Sequence, residues 1–272
     1  MHPEAMHAGV GNGALLGLLV VLPMVVLTLY LAGAARTRRS GGWSTWRLVS
    51  FATGIALLMI AGSPLIAGWA HHDLRGHMVQ HLLLGMFAPL ALVLGAPGTL
   101  LLREIPAAVA RRIVAVLDTP AVRGLIHPLT AALLDIGGMY LLYLTPLYAW
   151  TLTDPALHGL LHVHFVVAGY LFTWSIAGPD PAPHRPGFGI RLAVLFLATA
   201  AHANLGKIMY GYAYPRGTSA DLAEIRSAAQ WMYYGGDLAE LLLIVAFFAM
   251  WFGRRHRMQR TADRIDALAQ VG

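Results

Sequence analysis

The chain has 272 residues, of which 57% are hydrophobic and only 12% charged, and its formal net charge is +6. That balance lies far from a soluble globular domain and predicts an all-α, polytopic membrane protein. No cysteine is present, which excludes disulfides and thiolate ligands, so a soft metal would have to be held by histidine and methionine.

An α-helix needs about 20 apolar residues to cross roughly 30 Å of hydrocarbon. Seven runs meet that length, at approximately 14–34, 48–69, 77–95, 127–149, 158–177, 190–210 and 230–252, and together they read as one transmembrane domain over 1–272. The first ends in Ala32-Gly33-Ala34, similar to a signal-peptidase site. No Lys or Arg precedes it and several arginines follow, so it reads as a retained helix.

Basic residues set the expected orientation. Arg36, Arg38, Arg39 and Arg47 share one connection, Arg103, Arg111, Arg112 and Arg123 the next on that side, and Arg185 and Arg191 a third. A basic tail over 253–272 adds Arg254, Arg255, Arg257, Arg260 and Arg264, making 15 of the 19 basic residues. The opposite side has Arg75, Lys207, Arg216 and Arg226. By the positive-inside rule the N-terminus is outside and the C-terminus cytoplasmic, and the net charge needs no nucleic acid to explain it.

Between the third and fourth runs, Ile105, Val109, Ile113 and Val116 recur at helical spacing over 105–117, as in a helix lying on the cytoplasmic surface of the bilayer. The outer connection 211–229 is expected to cover whatever lies beneath it. Gly9, Gly13 and Gly17 at fourfold spacing would let the first helix pack closely on a neighbour.

Nine of the thirteen histidines fall on or near the expected outer side. Side chains at i and i+4 stack on one helix face and can ligate one ion or share one proton path, and His77 with His81 and His158 with His162 meet that condition. His164 is rotated by roughly 200° from His162 and is the weaker candidate. His202 lies too deep in the sixth run to reach the interface. Met78 and Met232 offer thioether sulfur to an ion such as Cu(I), although methionine is also an ordinary core residue. Asp135, Asp237 and Glu240 lie within spans and need partners there, so they read as groups that orient a ligating imidazole or relay protons, or as helix-packing hydrogen bonds.

Other chemistries fail on spacing. A zinc protease needs His-Glu-x-x-His, and these pairs carry Met78 and Gly159 in place of the glutamate. A retinal protein needs a lysine in its last helix, but Lys207 is in the sixth run. One haem between His81 and His162 or His202 stays open.

His77-Met78-Val79-Gln80-His81-Leu82-Leu83-Leu84, with Ala88-Pro89 and Leu94-Gly95-Ala96-Pro97 after it, resembles the signature of the CtaG family of bacterial cytochrome c oxidase assembly factors. The block from His158 to Phe165 and the run from Gly169 to Pro183 are similar to that family's fifth helix and the turn after it, His202 with Gly206 to its sixth, and Gly236-Asp237 to its last. Glu224-Ile225 and Met232-Tyr233 depart from the family pattern of Asp-Gln and Met-Trp. The resemblance implies a multi-pass, non-enzymatic accessory protein of the bacterial plasma membrane. Its partners would be haem-copper oxidase subunits and the lipid bilayer, with a homodimer open.

Combined with the spacing, the expectation is a copper chaperone in which His77, His81, His158, His162 and His202, assisted by Met78 or Met232, hold Cu(I) transiently near the outer face. A membrane transporter of copper or protons, using Asp135, His202, Asp237 and Glu240 as stepping stones, and a metal-free scaffold are the competing classes.

Overall fold

The computed structural model describes residues 21–37 and 42–269, and among them there is helix and no strand. The helices are α1 (Val21–Thr37), α2 (Thr45–Ala61), α3 (Pro64–His72), α4 (Leu74–Leu94), α5 (Pro97–Glu104), α6 (Ala107–Leu117), α7 (Pro120–Leu125), α8 (Pro128–Leu144), α9 (Leu147–Thr151), α10 (Pro155–Ala177), α11 (Phe188–Tyr212) and α12 (Leu222–Ala269). By length and composition α4, α10, α11 and α12 can each cross a bilayer, and the bent pair α2 and α3 makes a fifth candidate span. α1 and α8 are apolar but shorter. The glycines at 9, 13 and 17 lie outside the described residues, as does the beginning of the first apolar run.

The second apolar run divides where local chemistry dictates. Pro64 has no N–H to continue the α2 ladder, Ser63 caps α3 by accepting from Ile66 N, and the two helices meet at 51°. The Ala61 carbonyl at the end of α2 accepts from the buried Gln80 amide on α4 at 2.8 Å. The fourth run likewise stops at Leu144, before Thr145-Pro146, and resumes as the short α9. Helix formation in α12 starts at Leu222, so the expected outer connection is half helical. It also continues through the basic tail to Ala269, a length of roughly 70 Å at 1.5 Å per residue.

α4 is the central helix, packed on α2, α10 and α12, while α8 packs on α10 and α11. α4 and α10 approach so closely that a Cβ on Gly169 would collide with the carbonyl oxygen of Gly85. The larger hydrophobic core runs through Met78, Met139, Tyr143, Phe165, Leu205 and Met232, and a smaller one joins α1 and α2 to α4 and α5. In the smaller core Tyr30 stacks on Phe51 at 3.9 Å and donates its hydroxyl to the Gly95 carbonyl. Two helices contain a π turn, Leu83–Phe87 in α4 and Leu133–Gly137 in α8.

Candidate metal centre

The two helices that carry the histidine pairs begin at the same end of the bundle, each on an aspartate cap. Asp154 accepts from the amides of Ala156 and Leu157 to start α10. Asp73 accepts from the Arg75 amide at 2.7 Å and from the Arg75 side chain, whose hydrogen bonds hold the Asp73 carboxyl down to about 2. Glu224, in the first turn of α12, accepts from the Leu74 amide at 2.7 Å, so the start of α4 is tied to the start of the last helix.

One and two turns below these caps, His77, His81, His158 and His162 line a single cavity together with Thr151, Leu142 and Phe165. Its free space is about the size of a water molecule. His77 meets His158 edge-on with ring centroids 6.3 Å apart, and His158 meets His162 at 4.4 Å. Aromatic neighbours fix the other faces: Tyr148 lies 4.8 Å from His77 and Phe165 4.6 Å from His81. Nε2 of His77, Nδ1 of His81 and Nε2 of His162 are buried and have no hydrogen-bond partner among the described residues. Each such group costs about 1–3 kcal/mol to bury unpaired.

His202, fully buried on α11, stands against α12 and is not among the residues that line this cavity. Its Nδ1 lies 3.4 Å from Glu240 Oε1, outside hydrogen-bond alignment, and a Cβ on Gly236 would fall on its ring. Met78 and Met232 are both completely buried in the larger core. The sulfur that meets a cavity imidazole is Met139 Sδ, 3.0 Å from His81 Nε2. Among the described residues no three His, Cys, Asp or Glu side chains stand together at metal-holding spacing.

Asp135 and Glu240 share a second cavity further along α4, while Asp237 is half-buried one turn from Glu240 and lines neither cavity. Three further histidines have local partners. His164 Nε2 contacts the Leu134 carbonyl at 3.0 Å, His127 caps α8, and His184 pairs with Asp118. Met139 and Glu224 were not visible as site residues in the sequence. For Met139 a signal existed, since Asp135, Met139 and Tyr143 recur every four residues along one helix. Glu224 sits 150 positions from the amide it caps, and nothing local marks it.

Residues 28–254, which include both histidine blocks, His202 and Glu240, match the cytochrome c oxidase caa3 assembly factor family, CtaG. The chain belongs to this family. Similar proteins include an uncharacterized protein of Mycobacterium leprae, 32% identical in a 259-residue alignment that covers 86% of this chain and 38% of that protein. Uncharacterized proteins of Mycobacterium bovis and Mycobacterium tuberculosis are each 32% identical in a 260-residue alignment that covers 88% of this chain and 39% of theirs. The chain thus spans less than two fifths of the length of these curated relatives. No solved structure matches the chain.

Proposed function

We propose that this CtaG-family chain is an assembly factor for a haem-copper oxidase of the bacterial plasma membrane, and that its cargo is Cu(I), held transiently by His77, His81, His158 and His162. The observation that carries the reading is the convergence of four imidazoles from two separate helices on one cavity, three of them with an unpartnered buried nitrogen. Two imidazoles on one ion, with metal–nitrogen bonds near 2.0–2.1 Å, place their ring centroids roughly 5–6 Å apart. The separations of 4.4 and 6.3 Å bracket that value. Imidazole is a donor suited to copper, and Met139 Sδ sits against Nε2 of His81, where it orients the ring. His202 and Met232 belong to this reading as later stations only, since neither lines the cavity.

The seven-span topology is part of the proposal. Four long helices and the bent pair are candidate spans, and the two shorter apolar helices α1 and α8 would bring the number of crossings to seven. The arginine distribution supports an orientation with the histidine cavity at the outer face, where cargo can be exchanged, and α6 on the cytoplasmic surface.

The test is copper content and an absorption spectrum of detergent-purified protein after reconstitution with Cu(I) under reducing conditions, beside the His81→Ala/His162→Ala variant. About one copper per chain, lost in the variant together with oxidase maturation in cells, is the expected result. Unchanged copper and unchanged oxidase assembly in the variant would overturn it. A Soret band would assign the site to haem, copper flux in proteoliposomes would make the protein a transporter, and an absence of metal in both samples would leave a scaffold.

A further inference from the structure

One to two turns beyond the histidine cavity, a second cavity lies between α4, α8, α10 and α12. Asp135 and Glu240 both line it, and each is only 4% exposed. Glu240 directs Oε1 toward His202 and has the Thr199 hydroxyl of α11 beside its carboxylate, while its Oε2 makes no aligned hydrogen bond among the described residues. Thr173 also lines the cavity, and Met86, Leu90, Ile136, Phe172 and Leu243 supply most of its apolar wall. Neither lysine nor arginine is among the residues that line it.

The same cavity is where both π turns fall. Gly85 and Met86 belong to Leu83–Phe87, and Asp135 and Ile136 to Leu133–Gly137. A π turn inserts a residue into the helical ladder, re-aims the side chains around it and occurs mainly at functional sites. The histidine pairs do not need either one, since His77 and His81 precede the first and His158 and His162 lie on an unbroken helix. Two departures from regular geometry therefore converge on two carboxylates that have been taken out of water.

We propose that Asp135, Glu240 and Thr173 form a binding site for a small hard monovalent cation of about the size of sodium. The donors are all oxygen, a hard set, in contrast to the imidazoles above. Calcium takes about 6–8 oxygens and magnesium keeps several waters, more than this small, mostly apolar-walled cavity admits, whereas a monovalent ion sheds its water more readily and is served by the three side chains with one bound water. Membrane transport proteins place comparable sodium sites at mid-depth where helices depart from regular geometry. The proposal does not rest on copper binding.

It is tested on the full chain in detergent, without copper, by thermal unfolding in choline chloride with sodium chloride substituted at constant ionic strength. Binding to the folded state alone raises Tm in proportion to the logarithm of ion concentration above Kd. The expected result is a saturable rise with sodium, absent in Asp135→Asn and weakened at least several-fold in Glu240→Gln. Equilibrium dialysis of the unaltered protein against radioactive sodium should give about one ion per chain, and this arm stands if a variant fails to fold. Equal Tm in the two salts with no bound sodium would overturn the proposal, as would a response kept in Asp135→Asn. Stabilisation by acid alone would put a proton in the cation's place, and tighter stabilisation by magnesium or calcium would overturn the monovalent assignment.

Discussion

Nε2 of His81 lies 3.0 Å from Sδ of Met139, which joins the deeper histidine of α4 to the middle of α8. With Nε2 donating to sulfur, the ring holds the tautomer in which Nδ1, buried and unpartnered among the described residues, keeps its lone pair for a metal. Met139→Leu conserves volume, so its stability cost should stay below about 1.5 kcal/mol. Cu(I) affinity, read by competition with a chelator of known affinity, should fall about 10-fold or more, in the range seen when the partner of a ligating histidine is removed. Met78→Leu, buried in the core next to His77 in sequence but facing away from the cavity walls, should leave affinity unchanged.

The contact of Gly169 with the Gly85 carbonyl sets the distance between the two helices that carry the histidine pairs. Gly169→Ala has no room for its methyl group, so α10 must move away from α4. A loss of at least about 1–3 kcal/mol is expected from overpacking. Because His77 and His81 then part from His158 and His162, copper stoichiometry should fall in the protein that remains folded. Thermal unfolding beside metal analysis on the same sample separates the two effects, and an unchanged copper content in folded Gly169→Ala would show that the helix spacing is not what builds the site.

The fourfold spacing of the histidines was enough to place each pair on one helix face, and the two cavity-facing pairs follow from it. Membership in an all-helical membrane class followed from composition alone. What spacing does not convey is which helices become neighbours. Met78 adjoins His77 in sequence yet points about 100° away around the helix, whereas Met139 arrives from α8 because α4 and α8 both pack on α10. The π turns were equally hidden, since their i to i+5 bonding arises from how α4 and α8 pack and leaves no pattern in apolar periodicity. The 51° bend between α2 and α3 has a local signature in Ser63-Pro64, but apolar residues on both sides join the run into one expected span.

The Asp73 and Arg75 pair at the start of α4 predicts a pH dependence confined to the acid range. The folded carboxyl sits at about 2, below its usual 3.8, so the pair stabilises the folded state above about pH 4 and that contribution is lost as pH falls through 3.8 toward 2. Asp73→Asn keeps an amide oxygen able to cap the helix but removes the charge facing Arg75. The difference in Tm between the native protein and the variant should be constant from neutral pH to about 5 and close as the pH approaches 2. A difference that persists at pH 2 would mean that the cap, not the charge, carries the effect.

His164 separates structural from ligating imidazoles. Its Nε2 reaches the Leu134 carbonyl within the π turn of α8, an oxygen that also accepts from the Gly138 amide. His164→Ala removes this second hydrogen bond while the Gly138 amide remains on the carbonyl, and should lower stability by about 0.5–1.5 kcal/mol. His164→Gln can still donate an amide hydrogen and should recover part of the loss. Copper bound per folded chain should be unchanged in both, in contrast to His162→Ala, which removes a cavity imidazole while leaving the π turn intact. Loss of copper in His164→Gln at native-like stability would move His164 into the metal site and change the ligand set proposed for it.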